Sequence, residues 1–190
     1  GKPVFVVFEG GEGSGKSTQA RLLYAHVHQQ GYASLLLHEP GGTPLGEQIR
    51  RLLIAERGDA QRRRGNRQSN MAPLAELLLF SAARAELIGK VLRPALEEGH
   101  VVICDRFTPS TVAYQGYGRG LALDVIEQAN LLATGGLRPD LVVLLDIPPE
   151  DALRRVSAQT SLIPESSPTP SHHRQDNEGQ RRFELEPLQF

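Results

Sequence analysis

Short runs of Val, Leu, Ile and Phe alternate with segments of helical periodicity along most of the chain. The runs are apolar at nearly consecutive positions, which is typical of parallel strands covered by helices on both faces. They span residues 4–8, 34–38, 101–104 and 141–146. The pattern therefore predicts an α/β fold, in one domain over residues 1–190, with ligands bound at the carboxyl ends of the strands.

Helical spacing of apolar residues predicts the elements between the strands. The segment 72–98 is long enough for two helices, and we expect Pro94 to break the second because proline lacks a backbone donor. Residues 150–156 are predicted to form the beginning of a last helix, which is expected to end soon afterwards. The other predicted helices span 17–30, which Gly31 closes, 45–54, and 121–133, which Gly135 and Gly136 close.

Two polar stretches fall outside this pattern. Residues 57–70 contain five arginines, and we expect a solvated surface loop there, with steering of phosphates as the alternative. Residues 157–180 are rich in Ser, Pro, Gln and His without apolar periodicity, so we expect this segment to be mobile. His172 and His173 have no companion ligands nearby in the sequence, which favours exposed loop histidines over a metal site.

The overall composition narrows the classes of partner. With 21 basic and 22 acidic residues among 190, the net charge is −1, so no global charge points to a nucleic acid or a membrane surface. The single cysteine, Cys104, excludes an intramolecular disulfide and is expected to be a buried, inert thiol. The apolar runs are strand-sized, and the chain opens without a secretory leader pattern. These features predict a cytoplasmic protein.

Residues 10–17 read GGEGSGKS and match the full P-loop pattern, between a predicted strand and a predicted helix. Glycines there let backbone N–H groups converge on phosphate oxygens at a helix N-terminus. We expect Lys16 to reach the β- and γ-phosphates of ATP and Ser17 to ligate Mg²⁺; the alternative is a glycine-rich turn that binds nothing. The candidate ATP-binding residues are Gly10, Gly11, Glu12, Gly13, Ser14, Gly15, Lys16, Ser17 and Thr18.

A P-loop by itself does not separate kinases from ATPases. The predicted strand 141–146 supplies one aspartate with no following glutamate, whereas Asp105 ends a strand and is followed directly by Arg106. A metal-facing carboxylate beside a cation suited to phosphate oxygens favours two phosphorylated ligands that meet head-on. The candidate catalytic residues are Lys16, Asp105 and Arg106, and the candidate Mg²⁺ ligands are Ser17 and Asp105.

Four motifs in order resemble the thymidylate kinases, over residues 4–149. They are residues 8–18; EPGGTPL at 39–45 with Arg50; ELLLF at 76–80 with Arg84; and DR at 105–106, which leads to ST at 110–111, AYQG at 113–116 and GRG at 118–120. The resemblance implies a three-layer P-loop NTPase fold of the bacterial type. It also implies Mg²⁺-dependent transfer of the γ-phosphoryl group from ATP to dTMP, and a homodimer formed by helix packing.

The same resemblance implies roles in the acceptor site. Phe80 would stack on the thymine ring and Arg84, one helical turn away, would donate to the carbonyl edge of the base; on its own, Phe80 would more often be a core residue. Arg50 and Arg106 would hold the dTMP phosphate, and Tyr114 would lie against C2′ of the sugar. The full implied substrate-binding set is Glu12, Glu39, Pro40, Arg50, Phe80, Arg84, Arg106, Thr111, Tyr114 and Gln115.

Within that set, Glu12 is implied to accept a hydrogen bond from the sugar 3′-hydroxyl, and Thr111 and Gln115 to reach the base. The dTMP phosphate is ionised near neutral pH, so the reaction needs positioning and charge compensation rather than a strong base. A lid over residues about 151–182 is implied to close over ATP and to supply an arginine.

The chain departs from the family pattern in its lid and at its end. Ser157 and Gln159 stand where arginines are expected, and the spacing does not choose among Arg174, Arg181 and Arg182 as substitutes. The resemblance also leads us to expect a final helix and a fifth strand that the printed sequence lacks. His38 stands where many relatives have arginine.

Other functions remain open on the sequence. Deoxynucleoside kinases and other nucleotide kinases share a similar P-loop and an acidic-Arg strand end, although residues 39–43 argue against them. A nucleotide-binding regulator that retains the pocket without turnover is the alternative from a different class. A purely structural protein would not need the P-loop lysine.

Overall fold

A computed structural model describes residues 2–62 and 71–161, with side chains over 2–55 and 71–156. It confirms the predicted parallel sheet, in the order β2-β3-β1-β4. Within the described residues, no helix is long and apolar enough to cross a membrane. The strands are β1 (Val4–Gly10), β2 (Ser34–His38), β3 (Val101–Asp105) and β4 (Leu141–Leu145).

Helices connect the strands as the apolar spacing predicts. They are α1 (Lys16–Gln29), α2 (Pro44–Arg62), α3 (Pro73–Leu87), α4 (Arg93–Glu97), α5 (Thr108–Thr111), α6 (Leu123–Thr134) and α7 (Pro149–Ser161), with π-helical segments at Ile88–Leu92 and Val112–Gly118.

The helix predicted over 45–54 is longer than expected. It continues as α2 to Arg62, so residues 57–62 are helical rather than part of a surface loop. Ala, Glu, Arg and Gln dominate this extension, and all four have high helix propensity. The rest of the predicted loop, residues 63–70, lies outside the described part of the chain.

Pro94 was predicted to break a helix, and in the structure it does not. The chain passes from α3 through the π-helical segment Ile88–Leu92 directly into α4, which begins at Arg93. Pro94 therefore lies in the first turn of α4, directly after the π-helical segment, and the helical conformation continues through it.

The core has two layers, one on each face of the sheet. Alternate residues of β1 point to opposite faces: Phe5 and Val7 pack with residues of α3 and α4, whereas Val6 and Phe8 pack with Ala20 of α1. This three-layer arrangement confirms the predicted fold. Cys104 is buried and free, as expected, and burial raises the pKa of its thiol well above the ordinary value.

The predicted last helix is present as α7. It runs from Pro149 to Ser161, so residues 157–161, at the start of the predicted mobile stretch, are helical. Of the predicted lid, residues 162–182 lie outside the described residues, and so do the candidate lid arginines Arg174, Arg181 and Arg182 and the histidine pair at 172–173. The side chains of Ser157 and Gln159 are also outside the described set.

Candidate active site

The carboxyl ends of three adjacent strands bring the predicted site residues together. In the sheet register Phe8 of β1 and His38 of β2 both align with Asp105 of β3. Each strand is followed by one of the motifs: the P-loop after β1, Glu39-Pro40 after β2 and Arg106 after β3. Since parallel strands end at the same edge, residues about 100 positions apart along the chain become neighbours.

The P-loop forms a tight turn between β1 and α1. Gly10, Gly13 and Gly15 have φ values of 140°, 67° and 96°, which side chains with a Cβ rarely adopt. Helix α1 begins at Lys16, so the N–H groups of its first turn, including those of Ser17 and Thr18, have no intrahelical acceptor. The loop therefore presents backbone donors at a helix N-terminus, as an anion-binding site requires.

Lys16 is buried at the base of this loop, and its Nζ donates to the Gly11 carbonyl at 2.7 Å. Burial and the nearby Arg106 charge lower its pKa from the ordinary value of 10.5 to about 8, against the opposing effects of Asp105, Glu9 and Glu12. A phosphate group would favour the charged form of this amine.

Ser17 and Asp105 are in direct contact across the site. The Ser17 hydroxyl donates to Oδ2 of Asp105, while the buried Oδ1 has no hydrogen-bond partner among the described residues. A hydroxyl and an unpaired carboxylate oxygen are hard ligands of the kind that Mg²⁺ prefers. The two predicted metal ligands are thus side by side.

Arg106 has a positive φ of 74°, which is rare for a residue with a side chain. Its backbone N–H donates to the Phe8 carbonyl at 3.0 Å. Its guanidinium donates to Ser110 Oγ at 3.1 Å and lies 5.4 Å from the centroid of the Tyr114 ring. These contacts orient the guanidinium toward the predicted sugar-contact residue.

Glu9 holds the loop after β3, a role that the sequence analysis did not assign. Its carboxylate is buried and accepts from the Phe107 N–H at 2.8 Å, from the Ser110 N–H at 3.3 Å and from Ser110 Oγ at 2.7 Å. A carboxylate at the end of an apolar strand was the available signal, since such a group must find donors to be buried.

The segment after β2 is fixed by hydrogen bonds from α2. Arg50 is buried and donates to the Pro40 carbonyl at 2.9 Å. The Glu39–Pro40 peptide is cis. His38 Nε2 lies 3.1 Å from Glu47 Oε1, which also accepts from the Gly42 N–H at 2.8 Å. Arg50, predicted to hold the acceptor phosphate, thus lies beside Glu39-Pro40, two other residues of the predicted substrate-binding set.

Arg84 is buried with three partners. Its Nε donates to Glu39 Oε2 at 2.7 Å, one Nη to Asn130 Oδ1 at 2.7 Å and the other Nη to Thr111 Oγ1 at 3.0 Å. Burial raises the pKa of Glu39, and the adjacent Arg84 charge opposes that rise. Asn130, on α6, was missed because nothing near it in the sequence marks it as a partner of α3.

A second buried group links the first turn of α3 to the π-helical segment Val112–Gly118. Gln115 Nε2 donates to Glu76 Oε1 at 2.6 Å, and Arg119 Nη2 donates to Glu76 Oε2 at 3.1 Å. The Glu76 and Gln115 residues are each 1% exposed. Glu76 belongs to the ELLLF motif but had no predicted role.

Phe80 lies between these two groups along α3, four residues from Glu76 and four from Arg84. It is half-buried and packs against the cluster of Ile49, Leu53 and Ala83. Residues at this spacing share one face of a helix. The structure therefore brings together the predicted base-contact residues of α3 and of the segment after β3, whose individual roles remain predictions.

Helix α7 covers the P-loop from the side of β4. A Cβ added to Gly13 would lie 2.5 Å from the Ala152 carbonyl oxygen and 3.1 Å from a methyl of Val156. The exposed Arg155 lies with Nη1 3.5 Å from the Gly13 carbonyl. The start of the predicted lid is thus packed directly on the loop, and Gly13 permits this contact.

A family model described as "Thymidylate kinase" matches residues 8–175. The chain belongs to the thymidylate kinase family. It is 54% identical over 159 residues to the thymidylate kinase of a Synechococcus strain, covering 84% of this chain and 71% of the relative. It is 46% identical over 186 residues to the thymidylate kinase of Geotalea daltonii, covering 98% and 77%.

The solved thymidylate kinase of Ehrlichia chaffeensis has a similar fold. It matches this chain with a TM-score of 0.68 and 36% sequence identity, over 85% of this chain and 86% of that chain. Membership of the thymidylate kinase family and the P-loop fold, both expected from the four motifs, are therefore confirmed.

Proposed function

We propose that this thymidylate kinase family member transfers the γ-phosphoryl group of ATP to the phosphate of dTMP, giving ADP and dTDP. The observation that carries the proposal is the juxtaposition of a phosphate loop with a buried acceptor site at one edge of the sheet. Lys16 and Ser17 serve the donor side. On the acceptor side, Thr111 is hydrogen-bonded to Arg84 and Gln115 to Glu76, and both partners lie on α3.

Mg²⁺ fits the oxygen ligands at the P-loop. The fit rests on Asp105 Oδ1, which is buried without a hydrogen-bond partner among the described residues, beside the Ser17 hydroxyl. Mg²⁺ takes one or two protein oxygens and leaves its other positions to phosphates and water. When bound there, it neutralises charge on the β- and γ-phosphates.

The protein's own part in the reaction is to position groups and compensate charge. Backbone N–H groups of residues 10–18 hold the ATP phosphates, and Lys16 places a positive charge on the transferring group. The charge of Arg106 is near enough to Lys16 to lower the pKa of that amine. In the proposed reaction the Arg106 guanidinium would hold the acceptor phosphate and bridge toward the transferring group. No side chain needs to remove a proton, because the dTMP phosphate is already ionised.

Acceptor recognition relies on side chains that are already fixed. Phe80 would provide an aromatic face, Arg84 a fork donor and Gln115 an amide for the base. Tyr114, whose ring lies 5.4 Å from the Arg106 guanidinium, would face C2′ of the sugar. Glu12 accepts from the sugar 3′-hydroxyl. Buried, preorganised partners favour selectivity because a wrong base leaves them unpaired.

The proposal is tested by an ADP-release assay with ATP and Mg²⁺. Each of dTMP, dUMP, dCMP, dGMP and AMP is offered as acceptor, and we expect turnover to favour dTMP strongly. Lys16→Ala should abolish turnover, whereas Lys90→Ala, a change on an exposed residue of the π-helical segment Ile88–Leu92, should leave it unchanged.

Two results would contradict the proposal. Preference for another acceptor would indicate a different nucleotide kinase. Tight binding of ATP and dTMP, measured by calorimetry, without turnover would indicate a nucleotide-binding protein rather than an enzyme.

The proposal includes a homodimer. Large apolar side chains are exposed on two neighbouring helices: Leu74 and Leu78, one turn apart on α3, and Leu131 and Leu132 on α6. Apolar surface of this kind is typical of an interface. Light scattering of the Leu78→Asp variant should show monomers where the unaltered protein shows dimers; a wild-type monomer would contradict this part.

The proposal also places the enzyme in the cytoplasm. The support is its ATP dependence and its thiol, Cys104, which is the single cysteine of the chain and is buried and free. Fractionation of the source cells with immunodetection tests the location, and recovery outside the cytoplasm would contradict it.

A further inference from the structure

The carboxylate of Glu76 controls how one predicted base-contact residue is presented. Glu76 is 1% exposed in the first turn of α3, and its two oxygens accept from Gln115 and from Arg119. The ion pair with Arg119 provides the opposite charge that a buried carboxylate needs. These two contacts fix the position of the Glu76 carboxylate against Gln115.

An ionised carboxylate accepts hydrogen bonds and cannot donate them, whereas a glutamine amide has one donating end and one accepting end. Gln115 must therefore turn its NH₂ toward Glu76, at 2.6 Å. The amide carbonyl, Oε1, is left on the other side, and no described residue donates a hydrogen bond to it. Glu76 thus determines which end of the amide is available to a ligand.

The neighbouring contacts place this carbonyl at the base subsite. Thr111 lies four residues before Gln115 and accepts from Arg84, which lies eight residues after Glu76 on α3. Two hydrogen-bonded pairs therefore join the same two segments, with Phe80 midway between Glu76 and Arg84 along the helix. A base lying on Phe80 would meet an acceptor at Gln115.

We propose that Glu76 is a specificity-determining positioning residue, which fixes Gln115 with its carbonyl toward the base and so favours pyrimidines that carry an N3–H donor. Thymine and uracil have that donor, whereas N3 of cytosine is an acceptor and would face the carbonyl unpaired. This inference rests on the proposed function, because it concerns the acceptor of the same reaction. Glu76 contacts no reacting atom and acts through Gln115.

The test compares kcat/KM for dTMP and dCMP in the wild type and in Glu76→Gln. A glutamine at position 76 can either donate to or accept from Gln115. The Gln115 side chain can then present either its carbonyl or its NH₂ group to the base. We expect the dTMP:dCMP ratio of kcat/KM to fall about tenfold or more, through a higher KM for dTMP with kcat changed much less, since the base is bound equally before and during phosphoryl transfer.

Thr134→Val is the matched control for a lost buried hydrogen bond. Thr134 is 5% exposed on α6, where its hydroxyl accepts from the Gly136 N–H at 3.2 Å. This variant should lower the melting temperature without changing the dTMP:dCMP ratio. A purely structural role for Glu76 would give the same result in Glu76→Gln, namely a lower melting temperature and an unchanged ratio, and would overturn the inference.

The exchanged double variant Glu76→Gln/Gln115→Glu supplies a second measurement and covers the case in which Glu76→Gln does not fold. The amide now at position 76 donates to the carboxylate at position 115, whose other oxygen still accepts from N3–H. We expect the dTMP:dCMP ratio to return to within about threefold of the wild type. A folded double variant that does not prefer dTMP would overturn the inference.

Calorimetry with dTMP and with dCMP separates this inference from the proposed function. Wild-type binding that prefers dTMP, with Glu76→Gln binding the two alike, supports the inference even if turnover is absent. If the wild type turns over dTMP but the dTMP:dCMP ratio of kcat/KM does not change in Glu76→Gln, the inference about Glu76 is wrong and the proposed function stands. If the wild type binds neither nucleotide, both the inference and the proposed function are wrong.

Discussion

The hydroxyl of Ser17, in the first turn of α1, donates a hydrogen bond to the carboxylate of Asp105, the last residue of β3. The contact joins two residues 88 positions apart and leaves one buried carboxylate oxygen unpaired among the described residues. It links the start of α1, directly after the phosphate loop, to the end of β3, directly before Arg106.

Asp105→Asn should remove Mg²⁺-dependent activity while preserving the fold. The amide keeps the size of the side chain and its carbonyl still accepts from Ser17, but the negative charge that would hold the cation is lost. We expect kcat to fall about 100-fold or more and the Mg²⁺ concentration for half-maximal rate to rise, as measured by titrating Mg²⁺ at saturating ATP.

Asp140→Asn is the matched control for that change. Asp140 lies at the opposite end of the sheet and accepts from the Phe5 N–H at 2.8 Å. Its Mg²⁺ titration should be that of the wild type. Equal effects of the two substitutions would refute a metal-side role for Asp105.

Lys16→Met should stabilise the metal-free and nucleotide-free protein near neutral pH. The folded-state pKa of Lys16 is about 8, below the ordinary 10.5, so the unfolded chain binds the extra proton above pH 8 and wild-type stability rises from there toward pH 10.5. The cost of burying the charge, about 3 kcal/mol, is fully present below pH 8. Thermal unfolding in EDTA should show the Lys16→Met variant more stable than the wild type at pH 7, with a gap that narrows by pH 9.5; a constant gap would contradict the lowered pKa.

Gly13→Ala should separate α7 from the P-loop. An alanine at position 13 would have to adopt the φ of 67° that Gly13 has, and its Cβ would lie 2.5 Å from the Ala152 carbonyl oxygen. Together these two effects should lower the free energy of unfolding by about 1–3 kcal/mol. Denaturant unfolding measures this, and the KM for ATP should rise. Gly11→Ala is the stability control because no atom lies within 4 Å of its added Cβ; an equal loss of stability in both variants would show that α7 is not involved.

Arg84→Met should destabilise the protein by more than the loss of its own hydrogen bonds. The change leaves the Glu39 carboxylate buried without the guanidinium that lies 2.7 Å away, and breaking such a pair typically costs about 3–5 kcal/mol. The double variant Glu39→Gln/Arg84→Met removes the buried charge as well and should recover part of the loss. Urea unfolding of the single and double variants checks this; strict additivity would show that the two side chains are not coupled.

The sequence by itself determined the strands, the layers and the phosphate loop. The apolar runs at 4–8 and 34–38 specify strands, of which the run at 4–8 is buried on both faces. Residues 10–17 specify their own turn because glycine is needed at positive φ. These features depend on residues close together in the chain, so local patterns predict them.

Tertiary structure alone decided which buried polar groups pair with one another. Glu9 meets Phe107 and Ser110 about 100 residues away, Glu76 meets Gln115 across 39, and Arg84 meets Asn130 across 46. A buried carboxylate or guanidinium must be paired, but its own sequence neighbourhood does not say with which residue. The π-helical segments and the helical conformation through Pro94 were likewise seen only in the structure. Over five to seven residues, the apolar spacing of an α-helix and of a π-helix is too similar for the sequence to distinguish them.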